Sequence, residues 1–390
     1  MNSELKSCDG NVHLYRAVIR SLQKPLSVLL TNLSAYLSPL LASPTVHTTS
    51  PITTLNPTQI HALAIATFAA ELLENFQELT CGGRINGLID IREGLVSVVT
   101  RVVNYLVGGL KNELMQLMDA LEVPTTDLCT KNASKTLIYH PSVVALQSMI
   151  PLYARHLTRC TAFADVQPIL ATFLISTVWR AIVALAHRPR QTQMSQMVGI
   201  TKNRSPMNTP PVTPPPSRFA IKLPPSRPAS RPASPHVQPV IASTAADAHA
   251  LFELLCQLPR PTGENESIRL AREAVDEAFD SLKVLGDLLD EAEMASREAN
   301  PVFKVDSTLD LPLLIVLPVL LQYWSWGTHR SIANMVGLSD QEYRTVCLSG
   351  FGRAEECEAT VARHVLGTLW DDTKVNPSVV EWIENEILDD

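Results

Sequence analysis

The side chains best spaced for chemistry in this sequence are hydroxyl groups in its middle, and the chemistry that they favour is phosphorylation. Ser205, Thr209 and Thr213 each precede a proline, the extended dipeptide that proline-directed kinases accept. Hydroxyl residues recur here in two series at four-residue intervals: Ser205, Thr209, Thr213 and Ser217, then Ser226, Ser230 and Ser234. We predict regulatory phosphorylation of this segment. The alternative is that a proline-rich spacer accumulates Ser and Thr by composition alone.

One short sequence in this segment resembles a ligand of a phosphopeptide-binding module. Arg227-Pro-Ala-Ser230-Arg-Pro232 resembles a 14-3-3 ligand, because an arginine lies three residues before the candidate phosphoserine and a proline two residues after it. Modules of this kind capture the phosphate with a basic cluster. The four-residue interval also resembles substrates of glycogen-synthase-kinase-type enzymes, which read a phosphate four residues beyond their target hydroxyl.

A second short sequence resembles a proline-rich ligand. Lys222-Leu-Pro-Pro225-Ser-Arg-Pro228 resembles a class I SH3 ligand, in which a basic residue precedes PxxP on a polyproline helix. Chance matching is the alternative for both short motifs. If they are functional, the partners are 14-3-3-like or SH3-type readers, and a proline-directed kinase modifies the segment.

The density of proline predicts that this segment does not fold on its own. Twelve of the 28 prolines fall in residues 201–239, and proline fixes φ and removes an amide donor. Its local apolar cluster is limited to Phe219, Ile221 and Leu223, too little to offset the entropy of ordering the chain. We therefore predict a disordered Pro/Ser/Thr-rich linker over residues 189–243.

Charge is distributed unevenly along the chain. Residues 188–246 contain eight Lys+Arg and no Asp or Glu, whereas residues 247–390 contain 11 Lys+Arg and 27 Asp+Glu. A basic linker is thus tethered to an acidic segment, which makes the local concentration of each around the other high. Two interpretations stay open. The linker docks on the acidic segment until phosphorylation reverses its charge, or it is a solvated basic tether.

The flanking segments are predicted to be helical, because Leu, Ala and Val are abundant and aromatic residues make up 5% of the chain. We expect an all-α protein with two helical bundles or short α-solenoid segments, residues 11–188 and 244–390. In the first, one or two helices are expected over 12–42, broken or kinked at Pro25, and another is expected over 88–122 with a kink or a close neighbour at Gly108-Gly109. Asn56-Pro57 and Ser339 are expected to begin further helices.

In the second segment, apolar residues recur at intervals of three and four over one long stretch. They are Ile268, Ala271, Val275, Ala278, Leu282, Leu285, Leu289 and Ala292. This seam predicts a helix that packs within its own bundle or in a coiled coil between chains. The final acidic helix carries Trp382 and Ile383, which we expect either to dock in a partner's groove or to close the bundle.

The function classes differ in how much the sequence favours them. No nucleotide loop, nucleophile elbow or metal-spaced cluster is evident, so we expect no cofactor and no metal, although an all-α enzyme stays open. Nucleic-acid binding is not expected, since the one basic stretch is the linker. The apolar segments 169–186 and 309–326 leave a peripheral membrane or trafficking role as an alternative. We predict a non-catalytic adaptor or regulatory subunit.

The seven cysteines of the chain are scattered and form no CxxC pair, a pattern typical of reduced intracellular proteins. The polar N-terminus lacks the apolar region of a signal peptide. We therefore expect the protein in the cytoplasm, the nucleus or both.

Overall fold

The computed structural model of the chain describes residues 12–42, 56–80, 88–123, 139–189, 243–295, 311–324, 331–370 and 375–389. These residues form helices and no strand, which confirms the all-α prediction. All seven candidate phosphorylation sites and both short motifs of the linker lie outside the described residues.

The helices before the linker follow the sequence pattern closely. They are α1 (Val12–Leu41), α2 (Pro57–Thr80), α3 (Ile89–Leu121), α4 (Pro141–Cys160), a short 3-10 helix (Ala164–Val166) and α5 (Gln167–Ala186). Asn56 caps α2, since its side-chain oxygen accepts the amide of Thr58 at 2.9 Å, as predicted.

Seven helices follow the linker, counted within the described residues. They are α6 (Thr244–Leu255), α7 (Glu266–Ala295), α8 (Leu313–Trp324), α9 (Ile332–Met335), α10 (Asp340–Val346), α11 (Phe351–Leu369) and α12 (Pro377–Asp389). Ser339 and Glu342 form the expected capping box at the start of α10.

At two positions one of the expected alternatives is excluded within the described residues: α1 is not broken at Pro25, and α3 has no close neighbour at Gly108-Gly109. Helix α1 continues through Pro25, since its apolar side chains Leu26, Leu30 and Leu33 pack against the core and offset the lost hydrogen bond. Helix α3 likewise continues through Gly108-Gly109. A Cβ built on either glycine would have no neighbouring atom within 4 Å, so they admit no close neighbour.

The helices on the two sides of the linker pack against each other. Helix α5 contacts α3 before the linker, and α7 and α8 after it, and α4 contacts α6. Buried apolar side chains from Ile19 to Ile383 belong to one hydrophobic cluster. The sequence left open whether the two helical segments meet. In the structure they share one core.

The apolar seam of α7 is buried within this core. Val275, Leu282 and Leu285 are fully buried, where α7 packs on α5 and α6. The seam is thus used inside the chain, which is the first of the two expected arrangements. Gly286 lets α6 approach, since a Cβ there would lie 2.9 Å from the ring of His249.

Candidate functional site

A buried cluster of polar side chains lies where the linker leaves and rejoins the described residues. Arg188, just before the linker, is 7% exposed, and Asp247, just after it, is completely buried. The Nη1 atom of Arg188 lies 2.6 Å from Oδ2 of Asp247. The other carboxylate oxygen, Oδ1, accepts the backbone amide of His140 at 2.9 Å. We call Arg188, Asp247 and His140 the linker clasp.

The clasp joins the ends of four helices. Arg188 follows α5 and donates from Nε to the carbonyl of Leu121, the last residue of α3, at 2.6 Å. Asp247 lies in the first turn of α6, where a negative charge is favoured by the helix dipole. His140 caps α4, since its Nδ1 accepts the amide of Ser142 at 3.2 Å. The two ends of the linker are therefore fixed at one place.

The electrostatics of the clasp follow from its burial. An ion pair removed from water stabilises a fold only when its hydrogen bonds are well satisfied. Both oxygens of Asp247 have donors, whereas the buried Nη2 of Arg188 has no hydrogen-bond partner among the described residues. Burial, with a further contribution from the charge of Arg188, lowers the pKa of His140 below its ordinary value. A neutral ring fits its contacts, since Nε2 can donate to the carbonyl of Val123, 3.2 Å away.

The far end of the linker is also tied to α7. Ser243 caps α6 by accepting the amide of Ala246 at 3.2 Å, and its hydroxyl donates to Oε2 of Glu293 at 2.7 Å. Glu293 lies near the C-terminal end of α7. This contact sets where the linker re-enters the scaffold.

A second feature is a groove of about 920 Å³ beside α7, α11 and α12, which we call the acidic groove. Its lining includes seven carboxylates: Glu273, Asp276, Glu277, Asp280, Glu355, Glu358 and Glu386. No Lys or Arg of the described residues lines it. Partly buried apolar side chains of Ile175, Pro312 and Phe351 also face it.

Some of these carboxylates are paired and others are not. Asp276 lies 3.1 Å from Arg260, and Glu273 lies 3.6 Å from Arg269. Within the described residues, Glu277, Asp280 and Glu355 form no ion pair. The groove therefore presents a concentrated and incompletely compensated negative charge.

The predicted C-terminal docking residues are part of the core. Trp382 is 3% exposed and Ile383 is completely buried, on a helix that packs on α8 and α11. Of the two expectations for α12, the structure has the one in which the helix closes the bundle. The exposed apolar residue of this helix is Leu388.

The two apolar segments also lie largely inside. One helical stretch of the described residues, Ala164–Ala186, is long and apolar enough to cross a membrane, and 72% of its 18-residue window is buried. Its central Arg180 pairs with Asp119 of α3. In α8, all apolar side chains from Leu313 to Leu321 are buried. Core packing accounts for both.

Comparison with known proteins assigns neither a family nor a function to the chain. The chain matches no protein-family model, no curated protein and no solved structure. Among the described residues, no group of three or more His, Cys, Asp or Glu side chains is arranged to hold a metal ion.

His187, next to the clasp, makes the stability of the protein sensitive to acid. Burial lowers the pKa of its ring from 6.5 to about 4. Below pH 6.5 the ring of His187 becomes protonated in the unfolded chain, whereas in the folded chain it becomes protonated only near pH 4. Acid therefore favours unfolding. We expect the protonation of His187 to lower the free energy of unfolding by about 1–2 kcal/mol between neutral pH and about pH 5.

Urea unfolding at the two pH values measures this effect, and His187→Gln provides the comparison. The variant should lose less stability on acidification than the parent protein, by that same amount. Equal losses in the two proteins would show that His187 titrates alike in the folded and unfolded chains. His140 and His156, whose pKa values burial also lowers, leave a residual acid effect in the variant.

Proposed function

We propose that this protein is a non-catalytic interaction adaptor or regulatory subunit. Its helical scaffold presents the proline-rich linker as a segment that kinases phosphorylate and partner proteins bind. The observation that carries the proposal is the ion pair of Arg188 with Asp247, which are 59 positions apart and bracket the linker. The linker thus leaves and re-enters the scaffold at one buried point.

This arrangement suits a display function. A long surface loop on a rigid scaffold costs little more in closure entropy than a short one, and loops held this way commonly carry binding sites. The clasp fixes the loop ends while leaving the hydroxyl series and the two short motifs between them. Proline-directed kinases would modify Ser205, Thr209, Thr213 and Ser234. A 14-3-3-like module would read Ser230, and an SH3-type module would read Lys222, Pro225 and Pro228.

The proposal predicts that a proline-directed kinase modifies the linker in the full-length protein. We expect phosphate on the four Ser/Thr-Pro hydroxyls, measured by mass spectrometry after treatment of the purified chain. Replacing the prolines that follow them by alanine (Pro206, Pro210, Pro214 and Pro235) removes the extended dipeptide. The rate should then fall by about tenfold or more, which is ~1.4 kcal/mol in transition-state binding.

Partner recognition is the second half of the same test. A purified 14-3-3 protein should bind the chain phosphorylated at Ser230 at least about tenfold more tightly than the unmodified chain, because the phosphate adds charge-assisted hydrogen bonds. Because Ser230 does not precede proline, a glycogen-synthase-kinase-type enzyme adds this phosphate after a proline-directed kinase has modified Ser234. Ser230→Ala, treated with the same two kinases, is the matched control. A chain that accepts no phosphate in the linker and binds neither this protein nor an SH3 domain would exclude the proposed function.

A further inference from the structure

We infer that the acidic groove is the docking site for the basic part of the chain's own linker, residues 218–231. In the docked state the linker's motifs are covered, and phosphorylation releases them. This inference rests on the proposed function, since it concerns how the linker is regulated. It goes further by naming the surface that holds the linker and the residues that occupy it.

Charge complementarity is the first argument. The groove is lined by seven carboxylates and, among the described residues, by no basic side chain. The linker segment carries Arg218, Lys222, Arg227 and Arg231 and no acidic residue. Glu277, Asp280 and Glu355 have no ion-pair partner in the described part of the chain. Opposite charges of this density attract at the short range that a tether enforces.

The apolar side chains of the segment fit the same groove. In an extended chain alternate side chains point to opposite sides, so Phe219, Ile221 and Leu223 share one side while Arg218 and Lys222 share the other. The groove combines apolar side chains (Ile175, Pro312 and Phe351) with carboxylates along α7 and α11. The apolar side of the segment can therefore contact these side chains while its basic side faces the carboxylates.

The tether is long enough to bring this segment to the groove. The linker re-enters at Ser243, which is fixed to Glu293 of α7, whereas the groove centres on Glu277 of the same helix. Sixteen residues of helix separate Glu277 from Glu293, a span of about 24 Å at ~1.5 Å per residue. A polyproline-like chain rises ~3.1 Å per residue, so the 21 residues from Lys222 to Ser243 can span up to about 65 Å, more than the distance to the groove. A tether that reaches the site keeps the effective concentration of the segment at the groove high.

Docking gives phosphorylation a defined effect. The docked segment contains the SH3-type motif and Ser230 of the 14-3-3-like motif. Phosphates on Ser217, Ser226, Ser230 and Ser234, at about −1.5 to −2 charges each, outweigh the four basic side chains of residues 218–231. Residues 217–234 then carry a net charge of about −2 to −4. This is the sign of the groove, so the segment leaves it and both motifs become accessible to the proteins that bind them.

Tryptic cleavage of the full-length chain tests the docking directly. Trypsin cuts after Arg218 and Lys222 within the segment, and after Lys202 and Arg204 in the same linker outside it. In the unmodified protein at low salt we expect slower cleavage at the first pair than at the second. The triple variant Glu277→Gln, Asp280→Asn, Glu355→Gln should raise the rate at Arg218 and Lys222 about tenfold, with no change at Lys202 and Arg204.

A control variant and a salt arm separate docking from other causes. Glu264→Gln, Asp287→Asn, Glu381→Gln removes the same number of exposed charges outside the groove and should leave all four rates unchanged. At ~0.5 M salt, screening should abolish the protection in the parent protein without any substitution. The salt arm keeps the test valid if a variant folds poorly.

Three outcomes would overturn the inference. They are equal cleavage at all four sites in the parent protein, protection that survives the triple variant, and protection that grows with protein concentration. The last would mean that a second copy of the chain occupies the groove. If Arg218 and Lys222 are not protected but the phosphorylated linker still binds the 14-3-3 protein or the SH3 domain, the docking inference is wrong and the proposed function stands. If kinase and readers both fail, the function is wrong whatever the cleavage pattern.

Discussion

Replacing Arg188 by methionine is expected to lower the free energy of unfolding by about 3–5 kcal/mol. Asp247 is completely buried, and within the described residues Arg188 is the cation that contacts it, at 2.6 Å. Without Arg188 the carboxylate remains in the interior with no compensating charge. The carbonyl of Leu121 also loses the Nε donor that lies 2.6 Å from it. Urea unfolding followed by circular dichroism measures the change.

An exposed ion pair provides the matched control. Arg353 lies 2.6 Å from Glu356 on the surface of α11, with side chains 47% and 66% exposed, and Arg353→Met should cost under about 1 kcal/mol. The double variant Arg188→Met, Asp247→Asn should regain part of the loss, because it buries no charge and keeps an acceptor for His140. Equal losses for Arg188→Met and Arg353→Met would show that the clasp does not stabilise the fold.

The helices could be predicted from the sequence because their signals are local. Asn56 and Ser339 cap their helices through neighbours within three residues, and the seam of α7 repeats along one face. Such signals need no knowledge of the rest of the chain. Pro25 shows the limit of local reasoning. A proline inside a helix predicts either a break or a kink, and local sequence does not decide between them. Packing of Leu26, Leu30 and Leu33 against the core keeps α1 unbroken there.

The candidate site could not be predicted, because its members meet only in the folded chain. In the sequence, Arg188 is one of several basic residues in a basic stretch. No residue near it indicates that it pairs with Asp247, 59 positions away. Glu277 and Asp280 look like members of a solvated helix face. They line a groove because α11 and α12 lie beside that face. The excess of acidic residues after position 247 was the one sequence signal for the groove.

The spacing of apolar residues left two roles open for α12, and the burial of its side chains decides between them. Trp382 and Ile383 occupy positions on an amphipathic helix that would suit a partner's groove as well as the protein's own core. The hydrophobic pattern is the same in both cases, since it records only that one face leaves water. The structure packs that face against α8 and α11, so the linker and the acidic groove are left as the interaction features of our proposal.

Trp179→Ala is expected to cost about 3–5 kcal/mol and to destabilise the helices on both sides of the linker. Trp179 belongs to α5 before the linker, is 4% exposed, and donates from its indole nitrogen to the carbonyl of Leu348 at 2.8 Å. Its ring centroid lies 4.4 Å from that of Phe351. Both of these partners follow the linker. The substitution therefore opens a cavity in the core that the two segments share.

Trp370→Ala is the matched control, since Trp370 is 70% exposed and lies at the end of α11. Its indole donates to Glu384 at 3.2 Å on the surface, and its loss should cost under about 1 kcal/mol. Native-state hydrogen exchange then distinguishes one core from two. In a single cooperative unit, Trp179→Ala lowers the protection of α3 and of α11 by the same free energy. If only one of these helices lost protection, the two segments would unfold separately, and the clasp would join two bodies instead of closing a loop on one.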